Sequence, residues 1–127
     1  MAVNVIKTDK APGAVGPYSQ GIKAGNILFA SGQIALNPET GKLVGDGVAA
    51  EAEQCMKNVG ALLEAAGMSY DNVVKTTVYL TNMDFFGTVN TVYGKYFAST
   101  LPARSCVAVA ALPKGALVEV EVTAYAE

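Results

Sequence analysis

Three features of this 127-residue chain predict an α+β fold. Two segments carry the apolar period of helices, several others carry the two-residue alternation of strands, and the two kinds interleave in one particular order. Val48, Ala52, Cys55, Val59, Leu62, Leu63 and Ala66 follow helical spacing, as do Phe86, Val89, Tyr93, Tyr96 and Phe97. The order is strands, helix, strand, helix, two strands. It predicts a mixed β-sheet with both helices packed on one face.

Taken in order, Val3 to Ile6 is a short first strand. Tyr18 to Lys23 and Ile27 to Ala30 are two more, joined by the turn-like Ala24-Gly25-Asn26. Asn37-Pro38-Glu39-Thr40-Gly41 is a stronger turn signal, because Pro sets φ and Gly accepts positive φ. The first helix runs from Val48 to Ala66, with Gly67 to end it. Val73 to Leu80 is β-branched and extended, and Asp84 offers an N-cap for the second helix. Pro102 closes that helical segment, and the last two strands meet through Leu112-Pro113-Lys114-Gly115.

With 51% hydrophobic and 16% charged residues, the chain is expected to form one globular domain over residues 1–127. No apolar run approaches the ~20 residues of a membrane helix. Met1 to Lys10 lacks a basic-then-apolar signal pattern, which makes the cytoplasm the expected compartment. Net charge is −2 without a Lys/Arg cluster, so the electrostatic footprint of nucleic-acid binding is missing. There is no histidine, and Cys55 and Cys106 lack CxxC spacing. A zinc site or a Ser-His-Asp triad is thereby set aside, and the two cysteines are expected as thiols. Catalysis would have to rest on carboxylates, Arg, Tyr, Lys, Cys or backbone groups.

The last two strands put charge into apolar surroundings. In the first, Ser105, Val107 and Val109 fall on one side and Arg104, Cys106 and Ala108 on the other. In the second, Val118, Val120, Val122 and Ala124 form an apolar face opposite Glu119, Glu121 and Thr123. If these strands pair, one sheet face is ready for a core and the other carries Arg104 with the carboxylates. Two helices cover only one face. The other, mixing Cys106, Ala108, Thr77 and Tyr79 with Arg104 and Glu119, is expected to close against another subunit and leave a cleft at the charges.

Six segments in register extend the argument: Gly16-Pro17-Tyr18-Ser19-Gln20, Ala30-Ser31-Gly32-Gln33, Lys75-Thr76-Thr77-Val78-Tyr79-Leu80, Phe86 with Val89-Asn90 and Tyr93, Pro102-Ala103-Arg104-Ser105, and Val118-Glu119-Val120-Glu121. Over nearly its whole length the chain resembles the Rid (YjgF) family, in its branch of enamine/imine deaminases. The resemblance implies a chorismate-mutase-like fold and a homotrimer with a site in each intersubunit cleft. It implies carboxylate-bearing imine and enamine substrates such as 2-aminoacrylate, hydrolysed without a cofactor or metal to a 2-keto acid and ammonia.

Arg104 matches the family's carboxylate-binding arginine. A guanidinium fork grips a carboxylate bidentately, though pattern alone allows an ion pair with Glu119 or Glu121 equally well. Glu119 matches the acidic residue that places the attacking water. Glu121 shares its face, so spacing cannot choose between them. Tyr18, Ser31 and Gly32 match pocket positions supplied by a neighbouring subunit; without the resemblance they read as a core tyrosine and a strand-ending turn. Asn90, an amide on an apolar helix face, matches the helix asparagine of the subunit contact, where it meets an interface partner or the substrate. Cys106 reads as pocket lining and Cys55 as core. Two alternatives remain: a non-catalytic trimeric sensor of small keto or amino acids, and a ribonuclease, which the negative charge and missing histidine disfavour.

Overall fold

The computed structural model describes residues 3–127. Strands β1 (Val3–Ile6), β2 (Gly21–Ala24) and β3 (Ile27–Gln33) precede helix α1 (Val48–Ala65). Strand β4 (Val73–Leu80), helix α2 (Phe86–Gly94), β5 (Ala103–Ala108) and β6 (Val118–Tyr125) follow. The six strands form one sheet in the order β1-β2-β3-β6-β4-β5. Among the described residues only the β4–β5 pairing is parallel, as expected when a helix forms the crossover. No helix among the described residues is long and apolar enough to cross a membrane.

Local chemistry explains the element ends. Gly67 lies one residue past the α1 cap with φ 75°, a left-handed value that glycine tolerates, and so stops the helix. The second helix starts differently from the expectation at Asp84. Asn82 accepts from the Asp84 N–H and caps a 3₁₀ turn over Met83–Phe85, and α2 begins only at Phe86. It ends at Gly94, so Tyr96 and Phe97 pack from the turn that follows. The second strand is also shorter than expected: Tyr18 lies in the preceding loop, half exposed, and is not a core residue. Ser31 and Gly32 are inside β3, at a register shift between Ala30 and Gln33, and do not end it.

The core lies between the helices and one sheet face. Leu62 and Leu63 of α1 meet Val118, Val120 and Val122 of β6, with Val78 and Leu80 of β4. Polar residues sit on the same stripe. Glu51, Cys55, Asn58 and Leu62 are spaced as one helical row, and all four are buried. Glu51 Oε1 accepts from the Leu117 N–H at 2.9 Å, and Asn58 Nδ2 donates to the carbonyls of Ile34 and Leu36 at 3.1 and 3.0 Å. Each buried polar group is therefore satisfied by a loop backbone, and each loop is pinned to α1.

The last two strands do not pair with each other. β4 lies between them, and its register aligns Thr76 with both Arg104 and Val122, and Val78 with both Cys106 and Val120. Directly paired residues share a face. Arg104 and Cys106 therefore point to the helix side, while Glu119 and Glu121 point to the open side with Thr77 and Tyr79. The expected single face bearing arginine and carboxylates is corrected: alternation sets parity within each strand, and register sets it between strands. The open face also exposes Val5, Ile27, Phe29, Val107 and Tyr125.

Leu62 is fully buried in the α1–sheet core. Leu62→Ala is expected to lower unfolding free energy by about 2–5 kcal/mol, measured by denaturant titration at fixed protein concentration.

Candidate active site

On the helix side, Arg104 leaves the edge strand β5 and lies along α2. Its Nη1 donates to Asn90 Oδ1 at 2.6 Å. The guanidinium carbon stands 5.4 Å from the Phe86 ring centroid and 5.0 Å from that of Tyr93. Such cation–π contacts contribute about 0.5–2 kcal/mol. Tyr93 is itself anchored, its hydroxyl sharing a buried 2.7 Å hydrogen bond with Thr76. No ion pair among the described residues includes Arg104. The guanidinium remains solvent-exposed beside a cleft of about 420 Å³ lined by Asn90, Tyr93, Leu101, Pro102 and Arg104. The positive charge is thus left available to an anion.

Cys106 is two residues along the same face and half-buried. Burial raises its thiol pKa, and the opposing pull of Arg104 does not reverse this. A neutral thiol is a poor nucleophile, in keeping with a lining role. Cys55 is buried against the Val118 carbonyl, and burial raises its pKa too.

On the open side, Glu119 projects from β6 toward the register shift in β3. A Cβ on Gly32 would collide with Glu119 Oε2, so glycine is what lets the carboxylate lie against the β3 backbone. The carboxyl pKa is held above the usual range, first by burial and second by the Glu121 charge. Glu121 is engaged elsewhere, accepting from the Tyr79 hydroxyl at 2.9 Å. The structure thus separates two carboxylates that spacing left equivalent. Glu119 borders a cavity of about 110 Å³ whose walls include Tyr18, Gly32, Gln33, Pro113 and Lys114. Ser31 lies nearby, in a shallow hollow with Tyr18 and Glu121. Its Oγ donates to the Ser19 carbonyl at 2.6 Å, which leaves oxygen lone pairs to accept from a water or an imine N–H.

Gln20 was not singled out from the sequence. It is buried, its Oε1 accepts from the Thr8 N–H at 2.8 Å, and its Nε2 donates to the carbonyls of Thr8 and Pro12 at 3.0 and 2.8 Å. It fixes the Pro12–Gly13 wall of the Glu119 cavity, while Asn58 fixes the Ile34–Leu36 wall. The signal for Asn58 was an amide on the apolar stripe of a helix.

One protomer therefore brings Tyr18, Gly32 and Glu119 together, with Ser31 beside them, and separately joins Arg104 to Asn90 with Cys106 on the same face. The sheet lies between the two groups.

A family model described as Endoribonuclease L-PSP matches residues 8–126. The chain belongs to that family, the YjgF/Rid proteins. A mouse (Mus musculus) member named 2-iminobutanoate/2-iminopropanoate deaminase is 52% identical over 120 residues, covering 94% of this chain and 89% of its own. The crystal structure of the E. coli YjgF gene product superposes with TM-score 0.94 at 46% identity, covering 98% of this chain and 99% of that one. E. coli TdcF with bound serine gives TM-score 0.94 at 42% identity, covering 98% and 99%. The expected Rid fold, a six-stranded mixed sheet with two helices, is thus what the chain adopts.

Because the Glu119 pKa is raised in the folded state, its contribution to stability is present below the unfolded value and is lost as pH rises through the folded one. Glu119→Gln is expected to be more stable than wild type at neutral pH. The difference should close below about pH 4, as read from thermal melts across pH.

Proposed function

We propose that this protein is a cofactor-independent enamine/imine deaminase, working on 2-iminobutanoate, 2-iminopropanoate and the 2-aminoacrylate that tautomerises to the latter. The observation that carries it is the exposed Arg104 guanidinium, held by Asn90 and free of carboxylate partners among the described residues, in a chain 52% identical to a relative with that activity in its name. The family description mentions endoribonuclease, but a chain with net charge −2 and no histidine offers neither a phosphate-binding stripe nor the usual general base.

The working site is an intersubunit cleft of a homotrimer. What supports this is the opposition of Arg104 and Glu119 across the sheet, so one substrate can touch both only if two copies contribute. The exposed apolar residues of the open face supply the surface for association. Arg104 of one subunit grips the substrate carboxylate, with Asn90 and Cys106 beside it. Tyr18, Ser31, Gly32 and Glu119 come from the neighbour, with Tyr18 covering the ligand.

The chemistry needs only water. The imine carbon is electrophilic, and Glu119 and Ser31 hold a water against it. Glu119, with its raised pKa, takes a proton as the carbon–oxygen bond forms and returns it to nitrogen. The carbinolamine hydroxyl then gives its proton, again through Glu119, to the amine, and the carbon–nitrogen bond breaks as the carbonyl forms, releasing ammonia and a 2-keto acid. Positioning supplies most of the acceleration, because the uncatalysed reaction is already easy.

Arg104→Ala is expected to lower kcat/KM by at least roughly tenfold, since a charge-assisted hydrogen bond contributes about 1.5–3 kcal/mol. The assay generates the imine with a threonine dehydratase and traps what remains as its semicarbazone. Full activity in the variant would remove Arg104 from the site. Mixing inactive Arg104→Ala and Glu119→Gln subunits after unfolding and refolding is expected to restore activity in about a quarter of the sites. No recovery in a mixed oligomer, or a monomer at micromolar concentration in sedimentation, would refute the intersubunit cleft.

A further inference from the structure

Phe86, Asn90 and Tyr93 are spaced i, i+4 and i+7, which places them in one row along a single face of α2. The guanidinium carbon lies 5.4 and 5.0 Å from the two ring centroids, within cation–π reach of both. The guanidinium therefore lies against both rings, and its Nη1 donates to the Asn90 amide oxygen. The Tyr93 ring is buried and tied to Thr76, the β4 residue directly paired with Arg104, so the cradle is referenced to the same sheet position as the arginine itself. Phe86 is 37% exposed, which is more than packing alone would favour for a phenylalanine.

From this geometry we infer that Phe86 and Tyr93 are positioning residues for substrate binding: they clamp the Arg104 guanidinium so that the edge not occupied by Asn90 faces the cleft. The inference builds on the proposed deaminase activity. A flexible arginine would have to be ordered by each substrate, whereas a clamped one is ordered before binding, so its effect falls on affinity more than on the chemical step.

The test uses the intact oligomer and two readouts. Side-chain NMR of Arg104 reads the clamp without reference to activity. In wild type the Arg104 δ-proton signals should be displaced by the aromatic rings, and Phe86→Leu should move them toward free-arginine positions. In imine hydrolysis, Phe86→Leu should raise KM by at least about threefold while leaving kcat within about twofold. Phe86→Tyr, which keeps the ring, should retain the wild-type KM. Phe86 is partly exposed, so its variants are expected to fold; Tyr93→Phe, which releases only the tie to Thr76, provides a second probe and should weaken binding of the stable product 2-oxobutanoate. Undisplaced Arg104 signals in wild type would overturn the proposal whatever the activity. So would displaced signals together with a smaller rise in KM for Phe86→Leu. A wild type that shows displaced signals yet neither hydrolyses imines nor binds 2-oxobutanoate would overturn both the positioning role and the deaminase activity on which it rests.

Discussion

The placement of β4 between β5 and β6 governs nearly everything else in this molecule. Strand side chains alternate, so the register on either side of β4 decides which residues of its neighbours share a face. Here the β6 valines align with Thr76, Val78 and Leu80, and so do Arg104, Cys106 and Ala108. The valines fall under the helices and build the core. Arg104 follows the same parity onto the same face, but β5 is the sheet edge and only the short α2 lies beside it, so the guanidinium reaches solvent. Glu119 and Glu121 go to the opposite face by the same rule. A shift of one residue in the β4–β6 pairing would bury an acidic row in the core, a cost of several kcal/mol per charge, which holds that register; a shift in the β4–β5 pairing would instead move Arg104 off the helix side.

The two charges then sit in different physical settings. Arg104 is exposed and held by ring faces and an amide, which leaves its charge undiminished. Glu119 is half-buried over a glycine, with a second carboxylate nearby, so its ionised form is less favoured than that of an ordinary glutamate. One group suits anion binding and the other proton transfer. Around Glu119 the cavity walls are irregular loops, which need rigid support to act as walls. Gln20, Asn58 and Glu51 provide it by satisfying loop backbone groups from buried positions, where an unpaired polar atom would be costly.

Much of the fold was legible in the sequence because it rests on local periodicity. The first helix, the β-branched fourth strand and the apolar face of the last strand all emerge from the 3.6- and two-residue spacings. The family motifs also ran in order along the chain, and the family match covers residues 8–126. Where local chemistry competed, expectation slipped. Asn82 displaced Asp84 as the cap, and Tyr18 proved to be a loop residue because the strand begins only at Gly21. Asn90, odd on an apolar face, is explained by an arginine fourteen residues later, a partner that no local window contains.

By itself, the sequence determined which side chains share a face within each element, since alternation and helical spacing are properties of a single segment. It also determined the chemical inventory: one arginine, carboxylates on the last strand, two thiols and no histidine. Only the tertiary structure decided how those faces combine. Strand order and register are set by the packing of the whole core, and through them Arg104 and Glu119 came to lie on opposite sides of one sheet. The different settings of Glu119 and Glu121 were likewise tertiary, because they depend on a glycine in another strand and on a tyrosine that occupies Glu121.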